Sequence, residues 1–215
     1  MALKLYMHPL ASFCWKAIIA FYENDTPFEP HIVDLGNEAS RAAFQKIWPL
    51  CKFPVLRDDS RDQTVPESTI IIEYLAQYYP GKSRLIPESP DLAIQTRLQD
   101  RFFDLHVHVH MQNIVGDRLR PADKKDPTGV QSARSMLQQA YGMLEQRMAN
   151  KTWAMGDQFT MADCAASPAL YYGHLVEPLT NYPHTFAYLE RLQARPSFAR
   201  VIEEAQPYFQ YFPRQ

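Results

Sequence analysis

Residues 50–59, LCKFPVLRDD, are followed after a short polar stretch by residues 65–75, VPESTIIIEYL. The first piece has the apolar and β-branched content of a strand, yet Pro54 stands at its head. Proline pushes the preceding residue to extended geometry and cannot donate to a ladder. Two readings of Pro54 stand at this point. It is a plain edge-strand proline, or it is a cis proline held in a tight turn. In the second case the backbone of Phe53 turns away from the sheet and can pair with another backbone, such as a bound peptide. The second piece opens a helix with Glu67 and Ser68 at its mouth. Either the pair caps that helix, or the helix end and the Ser68 hydroxyl attract a carboxylate while Glu67 accepts from an ammonium. Together they suit a zwitterionic amino-acid head.

The surrounding periodicities extend this nucleus in both directions. Leu3 to Met7 alternate as a strand, and SFCWKAIIAFYEN carries Phe13, Ala17, Ile18 and Phe21 at helical spacing. FEPHIVDLG predicts a second strand, and SRAAFQKIW a short helix stopped by Pro49. PVLRD and QTVPE predict a third and a fourth strand, and STIIIEYLAQYY a helix. The order is β-α-β-α-β-β-α over residues 1–80. The proline-containing stretch 81–91 is a linker. Residues 92–215 are all helical: one long helix from 92 to about 118, then helices over 130–149, MADCAASPALYYGHL, YPHTFAYLERLQAR and SFARVIEEA. The fold class expected is a small α/β domain followed by a helical bundle.

Composition narrows the function classes. Of 215 residues, 46% are hydrophobic and 21% charged, with a net charge of −2, so electrostatics favour neither nucleic acid nor an anionic membrane. No apolar run approaches the roughly 20 residues of a membrane span, and no basic leader precedes the first strand. Cys14, Cys51 and Cys164 lack metal-ligand spacing, so a reducing, cytoplasmic location is expected.

In KFPVL, PESTIIIEYL, the proline-rich linker and FTMADCAASPAL, the chain resembles the cytosolic glutathione transferases of bacterial, serine/theta/zeta-like type, along essentially its whole length. The resemblance implies a thioredoxin-like first domain that binds glutathione as co-substrate. The backbone beside Phe53-Pro54 would hold its cysteinyl part, Glu67 and Ser68 its γ-glutamyl head, and Lys52 its glycyl end. It also implies a homodimer, and a second-substrate pocket lined by Phe103, His106 and His110 from the long helix. Thr160 and Asp163, spaced as a capping box, match the family's folding motif and are structural.

The resemblance departs at the thiol-activating position, where the usual serine or cysteine is Ala11. Ser12, one residue along, is the candidate to stabilise the thiolate by a hydrogen bond, against a plain helix-capping role. Cys14 without a partner at residue 11 rules out a dithiol cycle and suits a buried, inert thiol. Tyr6 suits a core position, and His8 lies near the loop. HVHVH, residues 106–110, puts His106 and His110 on one helical face and His108 nearly opposite, which makes a poor zinc site; no metal is expected. The activity implied is conjugation of the glutathione thiolate to an electrophilic small molecule. A glutathione-dependent isomerase or peroxidase is one alternative, held below conjugation because ASFCW retains the tryptophan of the isomerases' first-helix serine-cysteine-tryptophan cluster but shifts the others. A non-catalytic glutathione-binding or protein-interaction module is the other, kept open by Ala11.

Overall fold

Leu3, Leu5 and Met7 face inward, while Lys4 and Tyr6 alternate with them, in the first strand of the computed structural model, which describes residues 3–213. This strand, β1 (Leu3–Met7), leads into α1 (Ser12–Glu23). The chain continues through β2 (Glu29–Ile32), α2 (Glu38–Ile47), β3 (Val55–Asp58), β4 (Gln63–Pro66) and α3 (Ser68–Tyr78). The sheet order is β2-β1-β3-β4, with β1 parallel to β2 and antiparallel to β3. This is a thioredoxin-like unit followed by a helical domain. The second strand is shorter than the FEPHIVDLG reading, because only four residues pair with β1 before the chain turns at Asp34.

Register decides what meets at the strand ends. Tyr6 pairs with Val55, and Val55 with Pro66. The end of β1, the start of β3 and the end of β4 therefore lie together. His8, the Phe53–Pro54 pair and Glu67–Ser68 are brought to one end of the sheet.

The expected single helix over 92–118 is continuous but not uniform. It comprises α4 (Pro90–Phe102), a π-helical turn (Phe103–His108) and α5 (Val109–Arg118). Then come α6 (Pro127–Met148), α7 (Met161–Val176), α8 (Pro183–Ala194), α9 (Pro196–Ala205) and a 3-10 tail (Gln206–Tyr211). Helix α6 starts earlier than the stripe beginning at Ala133 suggested. Asp126 caps it by accepting from Gly129 N–H at 2.8 Å, and Pro127 occupies its first turn.

One apolar core runs from Leu3 and Leu5 through Trp15, Ile18 and Phe21 of α1 to Leu137, Leu144, Leu170 and Leu192 of the helical domain. A smaller one, Val33, Phe44 and Val55, fills the space under α2. The first is closed by the motif around α7. Thr160 and Asp163 form the reciprocal capping box, and Asp163 accepts in addition from Ala154 N–H and the Tyr188 hydroxyl. Among the described residues no helix is long and apolar enough to cross a membrane.

Candidate functional site

At the shared strand end, the Phe53–Pro54 peptide is cis, and Pro54 is buried while Lys52 is exposed. Phe53 is half-buried and lies parallel to the His8 ring with centroids 6.1 Å apart. Tyr208 of the tail meets the same imidazole edge-on at 6.2 Å. His8 Nδ1 accepts the Leu10 N–H at 3.2 Å, and burial pushes its pKa down, so the ring is neutral at physiological pH.

Glu67 is exposed and adopts φ 71°, ψ 119°. A non-glycine residue held there is strained by roughly 1–3 kcal/mol. It occupies the cap position of α3 but makes no side-chain cap bond, so the capping reading of the Glu67–Ser68 pair is not what the structure has. The first N–H groups of α3 are left for another acceptor. Arg101 from α4 lies close enough to Glu67 for mutual attraction.

Ser12 is the first residue of α1, with Ala11 at the cap position and no side-chain cap bond; the helix-capping role for Ser12 is therefore set aside. The Ser12 side chain is buried, and its Oγ lies 2.9 Å from His108 Nε2. Cys14 is fully buried, and burial pushes its thiol up to about 12, which keeps it protonated. Tyr6 packs with Phe44 and His31 under α2, as a core tyrosine.

Of the residues expected to line a second-substrate pocket, the structure separates Phe103 from His106 and His110 by burial. Phe103 is buried in the core. His106 is exposed and packs on Phe102, and His110 is half-exposed on the same side of the chain. The face turned to α1 carries Asp104 and His108, four residues apart and so aligned. Periodicity identified which histidines share a face. It did not identify which face is covered, because that depends on Lys16 and Ser12 lying opposite. A cavity of about 550 Å³ opens between α1, β2 and α9, lined by Trp15, Phe21, Phe28, Val201 and Tyr208. None of Ser12, Phe53, Glu67 or Ser68 lines it.

The feature missed by sequence reading is a buried ion cluster beneath the mouth of α3. Lys16 Nζ lies 2.7 Å from Asp100 Oδ1, in ion-pair contact but out of line for a hydrogen bond. It donates to Asp104 Oδ2 and to Thr69 Oγ1, each at 2.7 Å. Arg101 bonds the same two carboxylates and Thr69 from the outer side. The available signal was a lysine inside the apolar run CWKAIIAF, which a buried helix tolerates only if the charge is paired.

The family model for the glutathione S-transferase N-terminal domain matches residues 5–83, and that for the C-terminal domain matches residues 102–196. A glutathione S-transferase-like protein of a Fusarium species is 30% identical over 156 residues, spanning 71% of this chain and 67% of its own. The chain belongs to the glutathione S-transferase family. A crystal structure of a glutathione transferase from Methylococcus capsulatus superposes with a TM-score of 0.82 at 28% identity, covering 96% of this chain and all of that one. A glutathione S-transferase from Methylobacillus flagellatus, solved with glutathione bound, superposes with a TM-score of 0.84 at 22% identity over 93% and 98% of the two chains. Within this family member, Phe53-Pro54, the strained Glu67 and the start of α1 converge on one end of the sheet.

Proposed function

We propose that the protein binds glutathione at this end of the sheet and conjugates its thiolate to an electrophilic small molecule. The convergence of the Phe53–Pro54 segment with the uncapped, strained start of α3 carries this reading. In it the Phe53 backbone pairs with the cysteinyl part of glutathione. Ser68 and the α3 N-terminus hold the γ-glutamyl carboxylate, and Glu67 takes its ammonium. Lys52 is assigned to the glycyl carboxylate. A family member crystallised with glutathione supports the choice of ligand.

The thiol is activated by favouring its ionised form. The uncapped start of α1 offers N–H groups and a positive dipole end, and Ser12 adds a hydroxyl. The thiol proton leaves to solvent, and the thiolate forms a C–S bond as the electrophile's leaving group departs or its conjugated double bond accepts the electron pair. Holding both reactants together supplies most of the remaining rate.

Retention on a glutathione resin followed by turnover with a panel of electrophiles tests the assignment. Binding without turnover would select the non-catalytic reading, and absence of binding would reject both. Ser68→Ala is expected to weaken glutathione binding by about 1–3 kcal/mol, since a carboxylate loses a donor. Calorimetry showing unchanged affinity would remove Ser68 from the site. Ser12→Ala is expected to raise the pKa of bound glutathione by about 1–2 pH units, because a hydrogen bond to a thiolate is worth roughly 1.5–3 kcal/mol. Conjugation near neutral pH should slow accordingly, and Ala11→Ser should lower that pKa. A thiolate absorbance titration that moves in neither variant would leave activation to the backbone N–H groups alone.

A homodimer belongs to the same proposal. Ile70 on α3, Ile94 and Leu98 on α4, and Leu105 in the π turn are each at least half exposed, on helices bridged by Arg97 and Glu73. A row of this kind suits a twofold contact with a second copy. Sedimentation should give twice 24.9 kDa at micromolar concentration, and Leu98→Arg should shift it toward the monomer. A purely monomeric wild type would contradict the assignment.

A further inference from the structure

His108 lies in the π-helical turn of the helical domain and is almost fully buried. Its ring is stacked on Phe13 of α1, with centroids 3.9 Å apart and planes 20° apart. Its single hydrogen bond among the described residues joins Nε2 to Ser12 Oγ at 2.9 Å, across 96 residues of chain. The charge that acts on this ring is Lys16, in the same helix as Ser12; Asp104, four residues before His108, is already committed to Lys16 and Arg101. Burial, aided by the Lys16 charge, pushes the imidazole down to about 3, so the ring is neutral and carries one N–H.

That one hydrogen has two possible sites, and they have opposite consequences for Ser12. With the hydrogen on Nδ1, Nε2 must accept, and it consumes the only hydrogen of the Ser12 hydroxyl. The serine then has nothing to give a sulfur. With the hydrogen on Nε2, the ring donates to Oγ and leaves Nδ1 as an unpaired acceptor. Among the described residues the Ser12 side chain has no hydrogen-bond partner besides this ring, so its hydrogen is free to turn to a bound sulfur only in the second arrangement. The serine hydroxyl then accepts from the ring and keeps its own hydrogen for another acceptor. A hydroxyl that accepts one hydrogen bond also donates a stronger one.

We propose that His108 is a positioning residue of the helical domain that donates Nε2–H to Ser12, so that the Ser12 hydroxyl is aimed with its hydrogen free for the glutathione sulfur. This rests on the reading that the thiolate is formed beside Ser12. No proton passes to the histidine: the thiol proton still leaves to solvent, and the ring keeps its tautomer throughout. The arrangement makes the α/β domain's hydroxyl depend on the helical domain, in a chain where residue 11 is alanine.

Two measurements decide it. Long-range proton–nitrogen correlation spectra of ¹⁵N-labelled wild-type protein read the tautomer directly, with His108 assigned through its contacts to the Phe13 ring. The Nε2–H pattern is expected; the Nδ1–H pattern would overturn the proposal without any variant. The thiolate absorbance of bound glutathione is then titrated in wild type, Ser12→Ala, His108→Phe, His108→Gln and the Ser12→Ala/His108→Phe double variant. His108→Phe is expected to match Ser12→Ala, each slowing conjugation near neutral pH roughly 10- to 100-fold, with little change in glutathione affinity by calorimetry at a pH low enough to keep the bound thiol protonated. The double variant should show no further loss, because both changes remove one device. His108→Gln, which keeps an N–H donor, should retain most of the effect. A His108→Phe protein that is folded, binds glutathione and titrates like wild type would overturn the proposal alone. Absence of any bound thiolate in wild type would overturn the proposal together with the reading beneath it.

Discussion

Lys16→Met is expected to lower the unfolding free energy by about 3–5 kcal/mol, the usual cost of removing one partner from a buried ion pair. The ammonium is wholly buried and sits between Asp100 and Asp104, themselves buried, and the Thr69 hydroxyl. Without it the two carboxylates face each other with only the half-exposed Arg101 to offset them. A carboxylate in that position cannot recover its hydration. Lys16 belongs to α1 and the aspartates to α4 and the π turn, so the loss loosens the packing of the two domains. Urea unfolding followed by tryptophan fluorescence and far-UV circular dichroism measures it. Removing charge on both sides, as in Lys16→Met/Asp104→Leu, should recover much of the loss, because the remaining Asp100 keeps Arg101 and Thr69 as partners. A single variant within about 1 kcal/mol of wild type would mean that water reaches the cluster.

Asp163→Ala is expected to cost a similar amount, about 3–5 kcal/mol, by a different route. Asp163 is fully buried and accepts four hydrogen bonds: Ala154 N–H at 2.8 Å, Thr160 N–H at 2.8 Å, Thr160 Oγ1 at 3.1 Å and the Tyr188 hydroxyl at 2.5 Å. Alanine removes every acceptor at once and leaves the donors buried. The helix cap alone is worth only about 1 kcal/mol; the excess comes from Ala154 and Tyr188, which tie a loop and α8 to the start of α7. Thr160→Ala should therefore cost distinctly less than Asp163→Ala. Chemical denaturation of the two variants separates the contributions. Glutathione affinity under native conditions should be unchanged in both, since neither residue lies at the end of the sheet where the ligand is placed. Equal losses in the two variants would show that the loop and the tyrosine contribute nothing.

The contrast between these two residues marks how far the sequence could be read. Asp163 was legible as a structural residue because its main partner is three positions away, and a spacing of three is visible in the chain. The same holds for the alternation over Leu3–Met7 and for Pro54, whose ring constrains its immediate neighbour. The seven-element order of the first domain followed from such local terms. Fine boundaries did not: β2 stops where its partner strand ends, and the start of α6 is set by Asp126 and Pro127 rather than by its apolar stripe.

Lys16, Ser12 and His108 were legible only as residue types. A lysine in an apolar helix signals that a counter-charge exists, but Asp104 lies 88 residues away in sequence. Three alternating histidines signal two helical faces, but the face that is used was decided by α1, which places Ser12 96 residues from His108. By itself the sequence determined the order of the main strands and helices, the extended backbone before Pro54, the acid–serine pair at the mouth of α3 and the absence of a hydroxyl at residue 11. Each is a property of neighbours along the chain, where backbone sterics and helix periodicity act. Only the tertiary structure decided which charge meets which and which histidine faces the serine. Those choices depend on the excluded volume and electrostatics of segments that the chain brings together last.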